Sequence, residues 1–303
     1  MNVNKLNDIE SLAIKAAVAN RPFSGRLDPD NRNIQLFFIQ LIIQAGGLIR
    51  RFRFQPDKIS TERKSDGSIV TPAEMEIETF ISDAVTRVFP DFSFIGEETG
   101  GKFSEEKVNV AVDPVDGSWS FVTHDSTNAI SIAVFKGGRN IFGCVLNPAT
   151  GELGYAFKNN RTRLLQLSVF GENHYGCKLP IAEPSGNEKR IRVNLQPADG
   201  HRKIEKMLKD AWDAGKIKYV KSTGGSPANA LLEASKGFFV YVHPWTRPSA
   251  IYDLAAGVKL LENAGGIITD INNNRIKLMG HSGTIIAAVE RDHHKIVRKI
   301  LAG

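Results

Sequence analysis

Six consecutive residues constrain this chain more than any others: Asp113-Pro114-Val115-Asp116-Gly117-Ser118. They follow the apolar run 108–112, so Asp113 projects from the end of a strand. Pro114 has no N–H to donate and stops further pairing. The chain must turn there, which exposes the Val115 carbonyl oxygen and returns Asp116 toward Asp113. Two carboxylates and one carbonyl so close together are hard oxygen ligands suited to magnesium. Gly117 permits close backbone approach. The amides of Gly117, Ser118 and Trp119 then face an anion where a helix begins. An Asp-Pro pair alone is an ordinary turn with a capping Asp; the second Asp, the Gly and the Ser together point to a site. Carboxylates joined to an anion cradle suit metal-assisted phosphoryl transfer.

Further acidic residues occupy similar positions. Glu97 follows a short apolar strand and Gly96, and Glu98 follows it. Alone such a pair is solvated; beside the Asp113 cluster, Glu97 reads as a metal ligand with Glu98 behind it. Asp253 opens a helix patterned by Leu254, Val258 and Leu261. Capping is the ordinary role of Asp there. Gly224-Gly225-Ser226-Pro227 opens another helix, which turns Gly225 and Ser226 toward a substrate. The stretch 241–251 holds His243, Trp245 and Arg247. It suits a wall that stacks a nucleotide, and equally a surface loop with an exposed Trp.

The 303 residues give ample length for a core, as one large domain or two tightly joined halves. The longest apolar run, 36–49, is interrupted by Gln40 and Gln44 and closes with Arg50 and Arg51, too short and polar for a membrane span. No apolar leader is evident near the start. Cys144 and Cys177 match no zinc or redox spacing, so a reducing cytoplasmic setting fits. The net charge of +6 comes from small basic groups such as Arg50-Arg51-Arg53. No nucleic-acid motif accompanies them, so they read as solvated surface that also draws in a phosphorylated small molecule.

Residues 1–32 read as an arm with one weak helical pattern (Ile9, Leu12, Ala13, Ala16, Ala17) and a Pro/Gly/Asp-rich link over 21–32. An apolar helix follows over 34–54, where Gly46-Gly47 predicts close packing. The polar stretch 58–68 reads as a mobile loop. A second helix opens at Thr71-Pro72-Ala73-Glu74, with Thr as N-cap and Glu closing the box. Strands are predicted at 92–95, 108–112, 129–135, 141–146 and 153–157. The region 168–200 is rich in loop residues. An alternating pattern follows, with helices at 201–214, 227–235 and 253–264, strands at 218–220, 238–242, 267–271 and 284–289, and a terminal helix. The order gives an N-terminal half over 33–190 with a mostly antiparallel sheet, and an α/β half over 191–303 that supplies Asp253.

Gly96-Glu97-Glu98, the 113–118 run and Tyr252-Asp253-Leu254-Ala255-Ala256-Gly257, in that order, resemble the inositol monophosphatase family. Asn147-Pro148-Ala149-Thr150-Gly151-Glu152 and Glu262-Asn263-Ala264-Gly265-Gly266 extend the resemblance from about residue 34 to the end. It implies a sugar-phosphatase-like αβαβα sandwich, a homodimer, and Mg2+-dependent hydrolysis of a small phosphorylated metabolite, with two or three ions and Mn2+ as a substitute. Carried across, Glu97, Asp113, the Val115 carbonyl, Asp116 and Asp253 hold metal. Gly117 and Ser118 bind phosphate, and Glu74 with Ser118 orients the attacking water. Glu74 and Ser118 stand where the family usually has Asp and Thr, and Tyr252 where it has Trp. Trp119-Ser120 also departs from the usual pattern at the mouth of the site. Glu74 is equally the capping-box residue. The alternatives are a 3′(2′),5′-bisphosphate nucleotidase, a fructose-1,6-bisphosphatase, and a non-catalytic protein that binds phosphometabolites or RNA.

Overall fold

A computed structural model describes residues 6–21, 23, 33–64, 67–168, 174–181, 191–196, 202–222, 224–245 and 248–303. Five layers stack through it, and the alternation of side chains along the strands explains why.

The first sheet has seven strands: β3 (Ser93–Gly96), β4 (Asn109–Asp116), β5 (Ala129–Lys136), β6 (Arg139–Asn147), β7 (Glu152–Phe157), β8 (Arg163–Gln166) and β9 (Tyr175–Lys178). They lie in sequence order; β3 runs parallel to β4 and the other pairs are antiparallel. Successive side chains of a strand point to opposite faces. Val110, Val112, Ile130, Ile132, Val134, Phe142, Cys144 and Leu146 therefore share one face. There they meet α1 (Asp8–Val18), α2 (Asn33–Phe52) and α3 (Pro72–Val88). Ala111, Ala129, Ala133 and Ala156 share the other face, where the small side chains let α6 (Pro227–Ser235) and α7 (Ile251–Asn263) pack closely.

The second sheet covers the far side of α6 and α7. Its order is β11 (Tyr219–Ser222), β10 (Arg192–Leu195), β12 (Val240–Trp245), β14 (Gly283–Ala288) and β13 (Ile267–Asp270). Tyr241, Ile285 and Ala287 point inward to α6 and α7. Val240, Val242, Ile286 and Ala288 point outward to α5 (Arg202–Asp213) and α8 (Arg291–Ala302). This is the expected αβαβα sandwich, and its second sheet is mixed, with parallel pairs at β10 and antiparallel pairs at β14.

Several expectations need correction. The arm is, over Asp8–Val18, a capped helix packed on α2, and it turns Leu12 outward at 57% exposure while burying Glu10 completely. Glu10 accepts from Arg163 Nε at 2.7 Å, from Arg163 Nη2 at 2.8 Å and from the Tyr155 hydroxyl at 2.9 Å. That buried ion pair ties α1 to β7 and β8, and a pattern of apolar residues alone could not reveal it. Most of the 21–32 link lies outside the described residues. The stretch read as a loop at 58–68 contains a short hairpin, β1 (Glu62–Arg63) with β2 (Ile69–Val70). Helix α2 is long and apolar enough to cross a membrane by length and composition, contrary to the reading of 36–49. Here it is a core helix, with Ile34, Phe38, Ile42, Ala45 and Ile49 fully buried, and an alanine Cβ at Gly46 would stand 2.4 Å from Leu146.

Candidate active site

Strand β4 supplies the centre of the site. Asp113 and Asp116 pair with Ser131 and Ala129 of β5, and the register shifts between them, leaving Pro114 and Val115 with no opposite residue. The shift is a bulge inside the strand and not the turn expected at Pro114: β4 continues through Pro114 and pairs again at Asp116. It aims both carboxylates to one side, where Asp113 Oδ1 accepts from the Val115 amide at 3.0 Å. Gly117 then takes φ +92°, a left-handed conformation that L side chains resist, and caps the short helix α4 (Ser118–Val122). A Cβ there would lie 3.2 Å from Ser226 and 3.3 Å from the Gly225 carbonyl, so α4 and α6 begin side by side.

Two other elements converge on this point. Glu97 follows β3, and its carboxyl lies against that of Asp113. Asp253 sits in the first turn of α7 and accepts from the Ala250 amide at 2.6 Å, so it is both a helix-end acceptor and a site carboxylate. The acidic residues Glu97, Asp113, Asp116 and Asp253 line one cavity of about 590 Å³ together with Gly117, Ser118, Trp119 and Gly225. Burial, followed by the charges of Glu97, Asp116 and Asp253, pushes the Asp113 carboxyl well above its ordinary range. Asp116 moves the same way through burial, opposed by hydrogen bonds from Ser226 and Ala228. Asp253 is raised to about 7, mainly by burial.

Close-set buried carboxylates raise one another in this way when nothing neutralises them. Among the described residues the cation in contact with this set is Lys64 of the hairpin, 3.3 Å from Glu97 and 2.8 Å from Glu98. An all-oxygen, net-negative donor set suits a hard divalent cation and not a soft one. As placed, no three carboxylate, imidazole or thiol groups among the described residues are already closed into a metal cage.

Glu74 is buried and does not reach the cavity wall. Its capping role is complete: one carboxylate oxygen accepts from the Thr71 amide while the Glu74 amide donates to Thr71 Oγ1 at 3.3 Å. The second oxygen, Oε1, is buried with no hydrogen-bond partner in place among the described residues, and the Ser118 hydroxyl stands beside the carboxyl. Burial raises Glu74 to about 7, with Ser118 and Thr71 pulling it down. One residue thus closes a helix and presents a free oxygen behind Ser118.

One expected site residue, Ser226, is placed differently. Ser226 is buried and does not line the cavity. Its hydroxyl donates to Asp116 Oδ2 at 2.8 Å, and the Ala228 amide joins it at 2.6 Å. The N-terminus of α6 therefore positions Asp116 through Ser226, leaving Gly225 and Pro227 at the wall. Arg247 lies outside the described residues. Val115 turns its side chain into the core, and its expected ligand is the carbonyl alone.

Sequence reasoning missed Glu78. It is fully buried on α3 and accepts from the Glu98 amide at 2.9 Å, the Thr99 amide at 2.7 Å and the Thr99 hydroxyl at 2.6 Å. It thereby shapes the turn that presents Glu97. Gly96 is required beside it, because a Cβ there would stand 2.1 Å from the Glu78 carboxylate. Its position four residues after Glu74, between Ile77 and Ile81, was the available signal, since that spacing puts both carboxylates on one helix face.

A family model described as the inositol monophosphatase family matches residues 30–302. The chain belongs to that family. The Bacillus subtilis inositol-1-monophosphatase is 27% identical over 265 residues, covering 86% of this chain and 93% of that protein. The Pasteurella multocida Nus factor SuhB is 27% identical over 265 residues, covering 85% and 91%. The Thermotoga maritima IMPase structure superposes with a TM-score of 0.73 at 20% identity, over 89% of this chain and 98% of that one. Family membership supports a phosphatase.

Proposed function

We propose that this protein hydrolyses a small phosphate monoester of the inositol phosphate type, with magnesium held by Glu97, Asp113, the Val115 carbonyl, Asp116 and Asp253. The observation behind this reading is that two buried carboxylates from β4 and two half-buried ones from the end of β3 and the start of α7 face one cavity beside the α4 backbone. Bound divalent ions would supply Lewis-acid polarisation of the ester and offset the charge of the phosphate.

The chain's own residues would do the rest. The first amides of a helix have no acceptor within it, so those of Gly117, Ser118 and Trp119 are the donors for phosphate oxygens. Ser118 lines the cavity and Glu74 stands behind it. The Ser118 hydroxyl donates to Glu74 and accepts from the attacking water, which fixes the water for in-line attack at phosphorus. Glu74, held at about 7, is suited to take the proton that the water gives up. No His or Cys nucleophile is needed.

The relative named Nus factor SuhB raises a second reading, in which the fold serves macromolecular binding. The complete acidic set and the free buried oxygen of Glu74 favour catalysis. Phosphate release from inositol 1-phosphate, fructose 1,6-bisphosphate and adenosine 3′,5′-bisphosphate, with and without magnesium, tests the proposal. Magnesium-dependent release from at least one is expected. Equal release after chelation, or none from any of them by the folded protein, would reject it.

A further inference from the structure

Arg53 directly follows α2 and belongs to the basic group Arg50-Arg51-Arg53 that reads in the sequence as solvated surface. The fold turns it inward instead. Its Nη2 donates to the Asp125 carbonyl and to the Asn128 side-chain oxygen, each at 2.6 Å, and its guanidinium carbon lies 5.9 Å from the centre of the Phe121 ring. These three partners belong to α4 and to the link, 123–128, that carries the chain from α4 into β5.

That link needs a brace. Residues 123–126 are exposed, and α4 is a short helix whose buried residues are Ser120 and Phe121. So short a helix has too few hydrogen bonds of its own to fix its tilt. Asn147, at the end of β6, holds the link from one side by donating to the Ser126 carbonyl at 2.7 Å. Arg53 holds it from α2, with one nitrogen tying positions 125 and 128 together. The Asp125 amide in turn donates to the Ser120 carbonyl at 2.8 Å, and Thr127 Oγ1 to Ser120 Oγ at 2.9 Å, so the brace reaches α4 itself. Asn128 has no exposed surface, and its Nδ2 has no hydrogen-bond partner among the described residues. A buried, half-satisfied amide costs stability that an apolar side chain there would not. What the amide supplies is its Oδ1, which meets Arg53, while its Cα would stand 3.5 Å from a Cβ placed on Gly117. Asn128 therefore lies against the residue where β4 passes into α4. The carboxylates are held by other contacts: Asp113 by the Val115 amide, Asp116 by Ser226 and Ala228, and Asp253 by the Ala250 amide.

We infer that Arg53, gripping Asn128, is a positioning residue that sets α4 against the cavity and so places Gly117, Ser118 and Trp119 for the phosphoryl group. Those three residues line the cavity and Arg53 does not, so it acts through them without touching the substrate. This rests on the phosphatase reading of the site. It gives the α4 side of the cavity a control separate from the contacts that hold the metal ligands.

The test is calorimetric titration of inorganic phosphate into the protein at saturating Mg2+, beside titration of Mg2+ alone, for wild type, Arg53→Met, Arg53→Lys and Asn128→Leu, each shown to be folded. Arg53→Met keeps an unbranched side chain on Phe121 and removes the donors. It should weaken phosphate about tenfold or more and leave Mg2+ affinity within about twofold, since a small misplacement of a positioned group is enough for such a loss. Arg53→Lys restores a donor and should recover part of it. Asn128→Leu should weaken phosphate in the same direction, and adding it to Arg53→Met should cost little more, because both break one contact. Unchanged phosphate affinity in Arg53→Met, parallel loss of Mg2+ and phosphate affinity, or full additivity of the two changes would overturn the inference, as would a wild type that binds no phosphate. Ester hydrolysis is read separately. Turnover by the wild type with KM unmoved in Arg53→Met would sink the positioning role and leave the phosphatase reading. Phosphate binding that weakens as expected, in a protein that hydrolyses no ester, would sink the phosphatase reading and leave the positioning role.

Discussion

The Ser226 hydroxyl donates to Asp116 Oδ2 at 2.8 Å, joining residues 110 positions apart in the chain. This contact fastens the turn after β4 to the start of α6, so the geometry of the central carboxylate depends on how the two sheets clasp the middle helices. Ser226 also caps α6 by accepting from the Asn229 amide at 3.2 Å.

Ser226→Ala should therefore weaken metal binding more than it weakens the fold. The Ala228 amide still holds Asp116, so the lost hydrogen bond and cap cost about 1–2 kcal/mol of stability. Partners of a ligating carboxylate typically change metal affinity by roughly 10–100-fold. Calorimetric titration with Mg2+ or Mn2+ should show such a loss, while urea unfolding should shift only modestly.

Gly96 and Glu78 form a coupled pair. Gly96→Ala forces a Cβ onto the Glu78 carboxylate and should destabilise by about 1–3 kcal/mol, with Glu97 misplaced and the activation constant for magnesium raised. Glu78→Ala alone frees the Glu98 and Thr99 amides and should also raise it. Made together, the two should cost less than their sum, because the clash disappears with the carboxylate; a double-mutant cycle from thermal unfolding measures this coupling.

Arg163→Met should be among the most damaging changes away from the cavity. It leaves Glu10, which has no exposed surface, as a buried charge without its ion partner, at a cost of about 3–5 kcal/mol. Glu10→Gln in the Arg163→Met background should recover part of that, as equilibrium denaturation would show.

The acidic site predicts an unusual pH dependence for the metal-free chain. Glu74 and Asp253 are held at about 7 in the fold, against roughly 4 in an unfolded chain. Between those values the folded state binds more protons than the unfolded state. Stability is thus fully present below about pH 4 and is lost as pH rises through about 7. In chelator, Tm should fall from about pH 5 to about pH 7.5, and saturating magnesium should remove most of that fall. A flat profile in chelator would contradict the shared burial of these carboxyls.

What could be read from the sequence was what lies close together along it. The 113–118 run, the Thr71–Glu74 box and the opening of α7 each appear within a few residues, and the structure uses all three. Strand alternation gave the layers for the same reason. Relationships between distant segments were illegible: Glu10 with Arg163, Lys64 with Glu98, and Ser226 turned to Asp116 instead of to the cavity. Glu78 shows the cause clearly. A glutamate on a helix is usually solvated, and only the packing of α3 behind the Glu97 turn reverses that.

Four carboxylates lining one cavity are proposed to make this chain a metal-dependent phosphatase. The most direct measurement is phosphate release against magnesium concentration for the wild type and for Asp116→Asn, each shown to be folded. Saturable magnesium-dependent release by the wild type, reduced at least about a hundredfold in Asp116→Asn, is the predicted result. Comparable release by the variant, or by the wild type in excess chelator, would contradict it.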